Sequence, residues 1–186
     1  MKTRVTPAEE QRYAELQLQA LDYARAGETE SLGLMLRHGL PANLADAQGN
    51  TLLMLACYHQ HPGAARCLLA YGADIDRRNR RSQTPLGGAA FKGHEDIVAL
   101  LLSHGADIEA DNGMGMTPLM FAAMFGRTRV VAQLQAHGAS LKRRNRLGLS
   151  ANFLLRLARL WARLFPRSRS AGQSTSPRET SRTITL

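Results

Sequence analysis

The sequence predicts an all-α solenoid, in which short helix-turn-helix units stack side by side and are joined by extended loops. Three observations carry that expectation. Thr51, Thr84, Thr117 and Ser150 each follow the last by 33 residues. Gly39, Gly72, Gly105 and Gly138 keep the same step, and a period held over most of a 186-residue chain marks one unit repeated against itself. The chain is 44% hydrophobic but only 5% aromatic, which suits thin Ala- and Leu-rich helices better than a β-sandwich. Stacked units usually serve as binding surfaces, so the architecture weighs against catalysis.

Each element has a local reason. Thr6-Pro7-Ala8-Glu9 reads as a capping box that opens a helix running towards Ala26. Gly27 separates it from a second helix ending at Arg37-His38-Gly39. The next unit is marked by Thr51, Leu53, Ala56, Leu68-Leu69 and Gly72-Ala73-Asp74. The fullest unit runs from Thr84-Pro85-Leu86 through Ala89-Ala90 and Gly93-His94 to Ile97-Val98, Leu100-Leu101-Leu102 and Gly105-Ala106-Asp107. Thr117-Pro118-Leu119, Ala122-Ala123, Gly126, Val130-Val131 and His137-Gly138-Ala139 repeat the pattern once more. Thr84 and Thr117 can cap a helix, and Pro85 and Pro118 fall in the first turn, where no N–H is missed. The alanine pairs keep the first helix thin, and the Ile, Val and Leu run gives the second an apolar stripe. Gly105 and Gly138 can end it in the left-handed region. Neighbouring units must bury each other's apolar faces, each Leu or Ile contributing about 1.5–3 kcal/mol.

These units resemble the ankyrin repeat, whose pattern T-P-L-H-x-A-A-x-x-G-H followed by I-V-x-x-L-L-x-x-G-A-D is matched at nearly every informative position of the fullest unit. The resemblance covers roughly residues 16–165: a degenerate unit 16–48, repeats 49–81, 82–114 and 115–147, and a C-terminal capping helix 148–165. Residues 1–15 begin the N-terminal cap. The family's usual His is absent at Met54, Gly87 and Met120, which removes a Thr–His hydrogen bond from each unit. Gly87-Gly88 inside a first helix costs about 1 kcal/mol per Gly relative to Ala. Either the glycines permit a close backbone approach or that helix is simply weaker.

From Asn152 to Phe165 one continuous amphipathic helix is expected. Phe153, Leu157, Leu160, Trp161 and Leu164 make one apolar stripe, and Arg156, Arg159 and Arg163 share another side. The stripe is expected to cover the last repeat as a cap, with the arginines facing water. Residues 166–186, rich in Ser, Thr, Arg and Pro, are expected to be a disordered basic tail.

The net charge of +9 is local. From Ser140 to Leu186 there are eleven Lys or Arg and one acid, Glu179, whereas residues 1–139 hold 13 basic and 14 acidic side chains. A nucleic-acid partner is therefore not expected of the stack itself. Among the cations only Lys2, Lys92 and Lys142 are lysine, a usage that suggests a GC-rich bacterial source. Cys57 and Cys67 fall at apolar positions and read as reduced core residues of a cytoplasmic protein. The N-terminus has no apolar h-region, and no apolar run is long enough to span a bilayer.

No nucleophile motif, phosphate loop or HExxH arrangement is present, so neither an enzyme nor a cofactor is expected. His94 occupies the Gly-His turn, and His38, His104 and His137 precede helix-ending glycines. Only His59 and His61 fall outside the template, and a His-x-His pair without further ligands is a poor metal site.

The resemblance implies a concave face that binds a protein client. On it Tyr58, Phe91 and Met124 form an apolar ladder, with His59, Lys92 and Phe125 beside it and Arg80, Arg81, Gln83, Met114 and Met116 in the loops. The partner is expected to be one protein, and the chain a monomer. The alternative is attachment to an anionic membrane or nucleic acid through Arg143, Arg144, Arg146, Arg156, Arg159, Arg163, Arg167 and Arg169.

Overall fold

The computed structural model describes residues 6–164, and these form helices joined by turns and loops, with two isolated bridges, Ala45 to Thr51 and Arg144 to Ser150. Arg167, Arg169 and the expected tail 166–186 lie outside the described residues. The helices are α1 (Pro7–Ala26), α2 (Thr29–Arg37), α3 (Leu52–Tyr58), α4 (Pro62–Ala70), α5 (Pro85–Lys92), α6 (Glu95–Ser103), α7 (Pro118–Met124), α8 (Thr128–Ala136) and α9 (Ala151–Leu164). Odd-numbered helices pack on one another in order as an inner layer, from α1 to α9. The even-numbered helices form an outer layer, and each packs on the inner helix before it.

The periodic hydroxyls begin the inner helices as expected. The Oγ1 atoms of Thr51, Thr84 and Thr117 accept from the backbone N–H of Met54, Gly87 and Met120 at 3.1, 3.1 and 3.3 Å. Ser150 accepts likewise from Phe153 at 3.3 Å. Burial makes these caps weighty, since Thr51, Thr84 and Thr117 have almost no solvent contact and an orphaned N–H there would find no water. Thr6 and Glu9 close the capping box at the start of α1.

Gly39, Gly105 and Gly138 follow the outer helices at φ 93°, 83° and 93°, in the left-handed region. The histidines before them cap the same ends: Nδ1 of His38, His104 and His137 donates to the carbonyls of Leu34, Leu100 and Gln133 at 2.8, 2.9 and 2.8 Å.

A second ladder fastens each repeat to the one before. Nε2 of His61 donates to the Arg25 carbonyl at 2.8 Å, Nε2 of His94 to the Tyr58 carbonyl at 3.1 Å, and Nε of Arg127 to the Phe91 carbonyl at 3.0 Å. Donors and acceptors both advance by 33 residues. His61 is therefore a template residue, one repeat ahead of His94, and not a leftover beside His59. Of the two cysteines Cys57 is fully buried, and burial pushes its thiol pKa up. Cys67 is only half-buried, so the core reading holds fully for Cys57 alone.

The structure also resolves the Gly87 alternative. The side chain of Asn112, itself buried, lies where a Cβ on residue 87 would stand. Its Oδ1 accepts from the backbone N–H and the hydroxyl of Thr84 at 2.8 and 2.9 Å, and its Nδ2 donates to the Ala110 carbonyl at 2.9 Å. Gly87 thus makes room for an amide that reaches in from the next loop. With Asn112 turned inward, Asp111 takes over the loop turn, accepting from the N–H of Gly113 and Gly115 at 2.8 Å each. In the other loops Asp46, Asn79 and Asn145 do this from the register of Asn112.

The last helix departs from expectation. Ala151 and Leu154 are buried and Leu155 and Ala158 partly buried, and this side docks on α7. Phe153, Leu157, Leu160, Trp161 and Leu164 are instead between 50% and 64% exposed. The cap is real but uses a different side of the helix, because the apolar arc is wider than one neighbour can cover.

Candidate functional site: a cleft on the inner-helix face

Between α3 and α5, together with the loops that lead into them, lies a cleft of about 430 Å³. Its floor is apolar, made by Met54, Leu55, Tyr58 and Phe91. Gly88 leaves the wall beside Tyr58 open, since a Cβ there would come to 3.8 Å from the ring. The walls are polar. Asn79 Nδ2 donates to Asn50 Oδ1 at 2.8 Å and to Gln83 Oε1 at 3.2 Å, which links two loops across the cleft.

At one end stand Arg25 and Asp46, with Nη2 and Oδ2 3.5 Å apart. Burial opposes ionisation of Asp46, but hydrogen bonds from Asn50 and Gln48 and the Arg25 charge outweigh it, so its pKa lies below the usual value. At the other end Arg81 is exposed and in no ion pair among the described residues. His59 lines the same cleft, its ring stacked on that of His61 at 6.5 Å. Partial burial first, then the neighbouring charges of His61, Lys92, Arg25 and His94, hold its pKa below the ordinary histidine value. Arg25 and Arg81 are the guanidinium groups of the lining, against the single carboxylate of Asp46.

Of the residues singled out from sequence, Tyr58, His59, Arg81, Gln83 and Phe91 come together here. Lys92 flanks the cleft, its Nζ 4.7 Å from the Tyr58 ring centroid in a cation–π contact. The apolar ladder continues past the cleft: the Phe125 ring meets Phe91 edge-on at 4.4 Å, and Met124 and Phe125 are both exposed. Phe121, which sequence reasoning passed over, also meets Phe91 edge-on, at 6.5 Å. Phe91 is therefore half wall and half packing.

The remaining positions fall elsewhere. Arg80 is exposed outside the lining and uses its backbone N–H to bond the Gln48 carbonyl at 3.0 Å. Met116 is partly buried against the core, its sulfur accepting from Asn145 Nδ2 at 3.2 Å. Met114 is exposed at a loop tip with φ 56°, between two glycines of positive φ.

Arg25 and Asp46 were missed, although Arg25 stands 33 residues before Tyr58 and is the first rung of the same ladder. The degenerate first unit hides that register. In the polyanion set Arg143 is paired with Glu109 at 3.3 Å, and Arg144 donates to the Gly148 carbonyl at 2.7 Å. Arg146, Arg156, Arg159 and Arg163 are exposed. No group of three or more His, Cys, Asp and Glu that could hold a metal occurs among the described residues, and none of their helices is long and apolar enough to cross a membrane.

The family description "Ankyrin repeats (3 copies)" matches residues 78–145, and "Ankyrin repeats (many copies)" matches residues 35–89. An ankyrin repeat protein of Pseudomonas aeruginosa is 47% identical over 48 residues, which are 26% of this chain and 28% of that relative. The chain thus spans little more than a quarter of the relative's length.

Proposed function

The chain belongs to the ankyrin-repeat family, whose members are generally protein–protein interaction modules, and from that premise we propose that it holds one protein client on the inner-helix face. The observation that carries this reading is the cleft between α3 and α5, continuous with the exposed ladder of Met124 and Phe125. Aromatic and Met side chains surrounded by Arg, Gln and Asn have the make-up of an interface centre and its rim. Tyr58 and Phe91 would take an apolar side chain of the client, and Arg81 with Arg25 a neighbouring carboxylate, the Asn50–Asn79–Gln83 chain setting its register. Arg80, Lys92, Met114 and Met116 contribute at the rim or by shaping the loops. The role is non-catalytic, accessory or regulatory towards that client.

Capture from the source organism with the full chain, compared with a Tyr58→Ser/Met124→Ser variant, tests the reading. The variant should lose the specifically retained protein and keep its helical circular dichroism, since both side chains are exposed. Retention unchanged in the variant, or helicity lost with it, contradicts the proposal.

A further inference from the structure

We propose that α9 is an interfacial helix that lays the face of Phe153, Leu157, Leu160 and Leu164 into an anionic lipid surface. The helix carries three kinds of side. One, centred on Ala151, Leu154 and Ala158, docks on α7. The second carries Arg156, Arg159 and Arg163, all exposed. The third carries the four apolar side chains, each at least half exposed, with Trp161 at its edge, also largely exposed. At 14 residues α9 is about twice as long as α5 and α7, which have 8 and 7, so its second half runs on past the point where those helices turn.

Chemistry selects among occupants of this face. A second α9 is a poor one, because the helix holds three arginines and no acid, and pairing would bring like charges together. The acidic helix α1 of another copy has opposite charge in Glu9, Glu10 and Glu15. It exposes Tyr13 and Leu16 on one side and Leu18 on another, which do not match four residues in a line. The sequence from residue 166 onward offers Ile184 and Leu186 as its only large hydrophobes and four arginines against Glu179, so it carries the same sign. Nucleic acid would use the arginines but has no use for an apolar face beside them. An anionic bilayer uses both: the apolar face enters the boundary of headgroups and acyl chains, and the arginines meet phosphates at its edge. Lys142, Arg144 and Arg146, exposed on the loop that leads into α9, add to the same field.

Trp161 is the sole tryptophan of the chain, so its emission reports on this helix alone. The full chain is mixed with vesicles of phosphatidylcholine, with or without added phosphatidylglycerol, across a salt series. The expected result is a blue shift and co-sedimentation with the anionic vesicles only, weakening as salt rises. Leu157→Ser/Leu160→Ser/Leu164→Ser and Arg156→Gln/Arg159→Gln/Arg163→Gln should each bind roughly tenfold or more weakly, with unchanged thermal unfolding. No binding overturns the proposal, as does equal binding to neutral vesicles or by the glutamine variant. Self-association through α9 without vesicle binding, or retention of DNA without a spectral shift, overturns it too. The Tyr58→Ser/Met124→Ser variant should bind vesicles normally, so the client-binding reading and this one can fail separately.

Discussion

Helices α7 and α9 occupy equivalent places in the period, start alike, and then part. Thr117 and Ser150 both cap, and Pro118 and Ala151 are both buried. Next come Leu119 and Ala123 in α7, wholly buried, against Asn152 and Arg156 in α9, exposed. Gly126, which ends the inner unit of α7 with φ 67°, is matched by Arg159, and the helix simply continues. A stack is closed here by changing two residues that would have met another helix and removing one turn. The rest of the apolar pattern persists, and with no further helix packed on it among the described residues, that pattern faces solvent.

One position makes the contrast measurable, because Gly87, Met120 and Phe153 share a register. Met120→Ala should cost the most, about 2–5 kcal/mol in urea unfolding, since the side chain is fully buried. Phe153→Ala, on the exposed face, should stay within about 0.5 kcal/mol, and equal costs would mean that the side of α9 docked on α7 is misassigned. Leu154→Ala, on the docked side, belongs with Met120→Ala in direction, at about 2 kcal/mol or more.

Gly87→Ala comes next, at about 1–3 kcal/mol destabilising, although alanine is the better helix former by about 1 kcal/mol. The added methyl displaces Asn112 from Thr84. A double-mutant cycle with Asn112→Ala should show strong coupling between the two sites, and simple additivity would refute the account. Smaller again, Thr117→Ala should cost about 1–2 kcal/mol and Ser150→Ala about half as much. The first cap is sealed in the stack and the second is partly open to water, a difference thermal melts can resolve.

The smallest effect is in pH. His59 is held below its unfolded value of about 6.5, so between the two values the unfolded chain binds more protons. The stability contribution is intact above the unfolded value and declines as pH falls towards the folded one. The wild type should show a slight extra loss of melting temperature in mildly acid buffer that His59→Gln lacks.

The Thr and Gly registers were legible because caps and left-handed turns depend on residues a few places apart, and the chain repeats them unchanged. Asn112 was not, since its partner Thr84 is 28 residues away and the only local trace is a glycine where a helix would prefer alanine. The exposed face of α9 was misread for a different reason. Spacing reveals that a helix has an apolar arc, but not which part of that arc a neighbour will occupy. Setting Asn152 beneath Leu119 and Arg156 beneath Ala123 would have answered it. In the cleft, Tyr58, His59, Arg81, Gln83 and Phe91 were accessible to the same reasoning, whereas Arg25 and Asp46 sat in a unit too altered to align.

The ladder of His61, His94 and Arg127 has a missing rung with a mechanical meaning. Leu160 stands at the next place in that series, and an alkyl chain has no proton to give a carbonyl. Every earlier junction is pinned by this series at the far end of its inner helix, and at the final one Leu160 cannot extend it. Slow solvent exchange of backbone amides should therefore be most uniform through α3, α5 and α7 and give way first in the distal half of α9, where the series of side chains bonded to carbonyls stops.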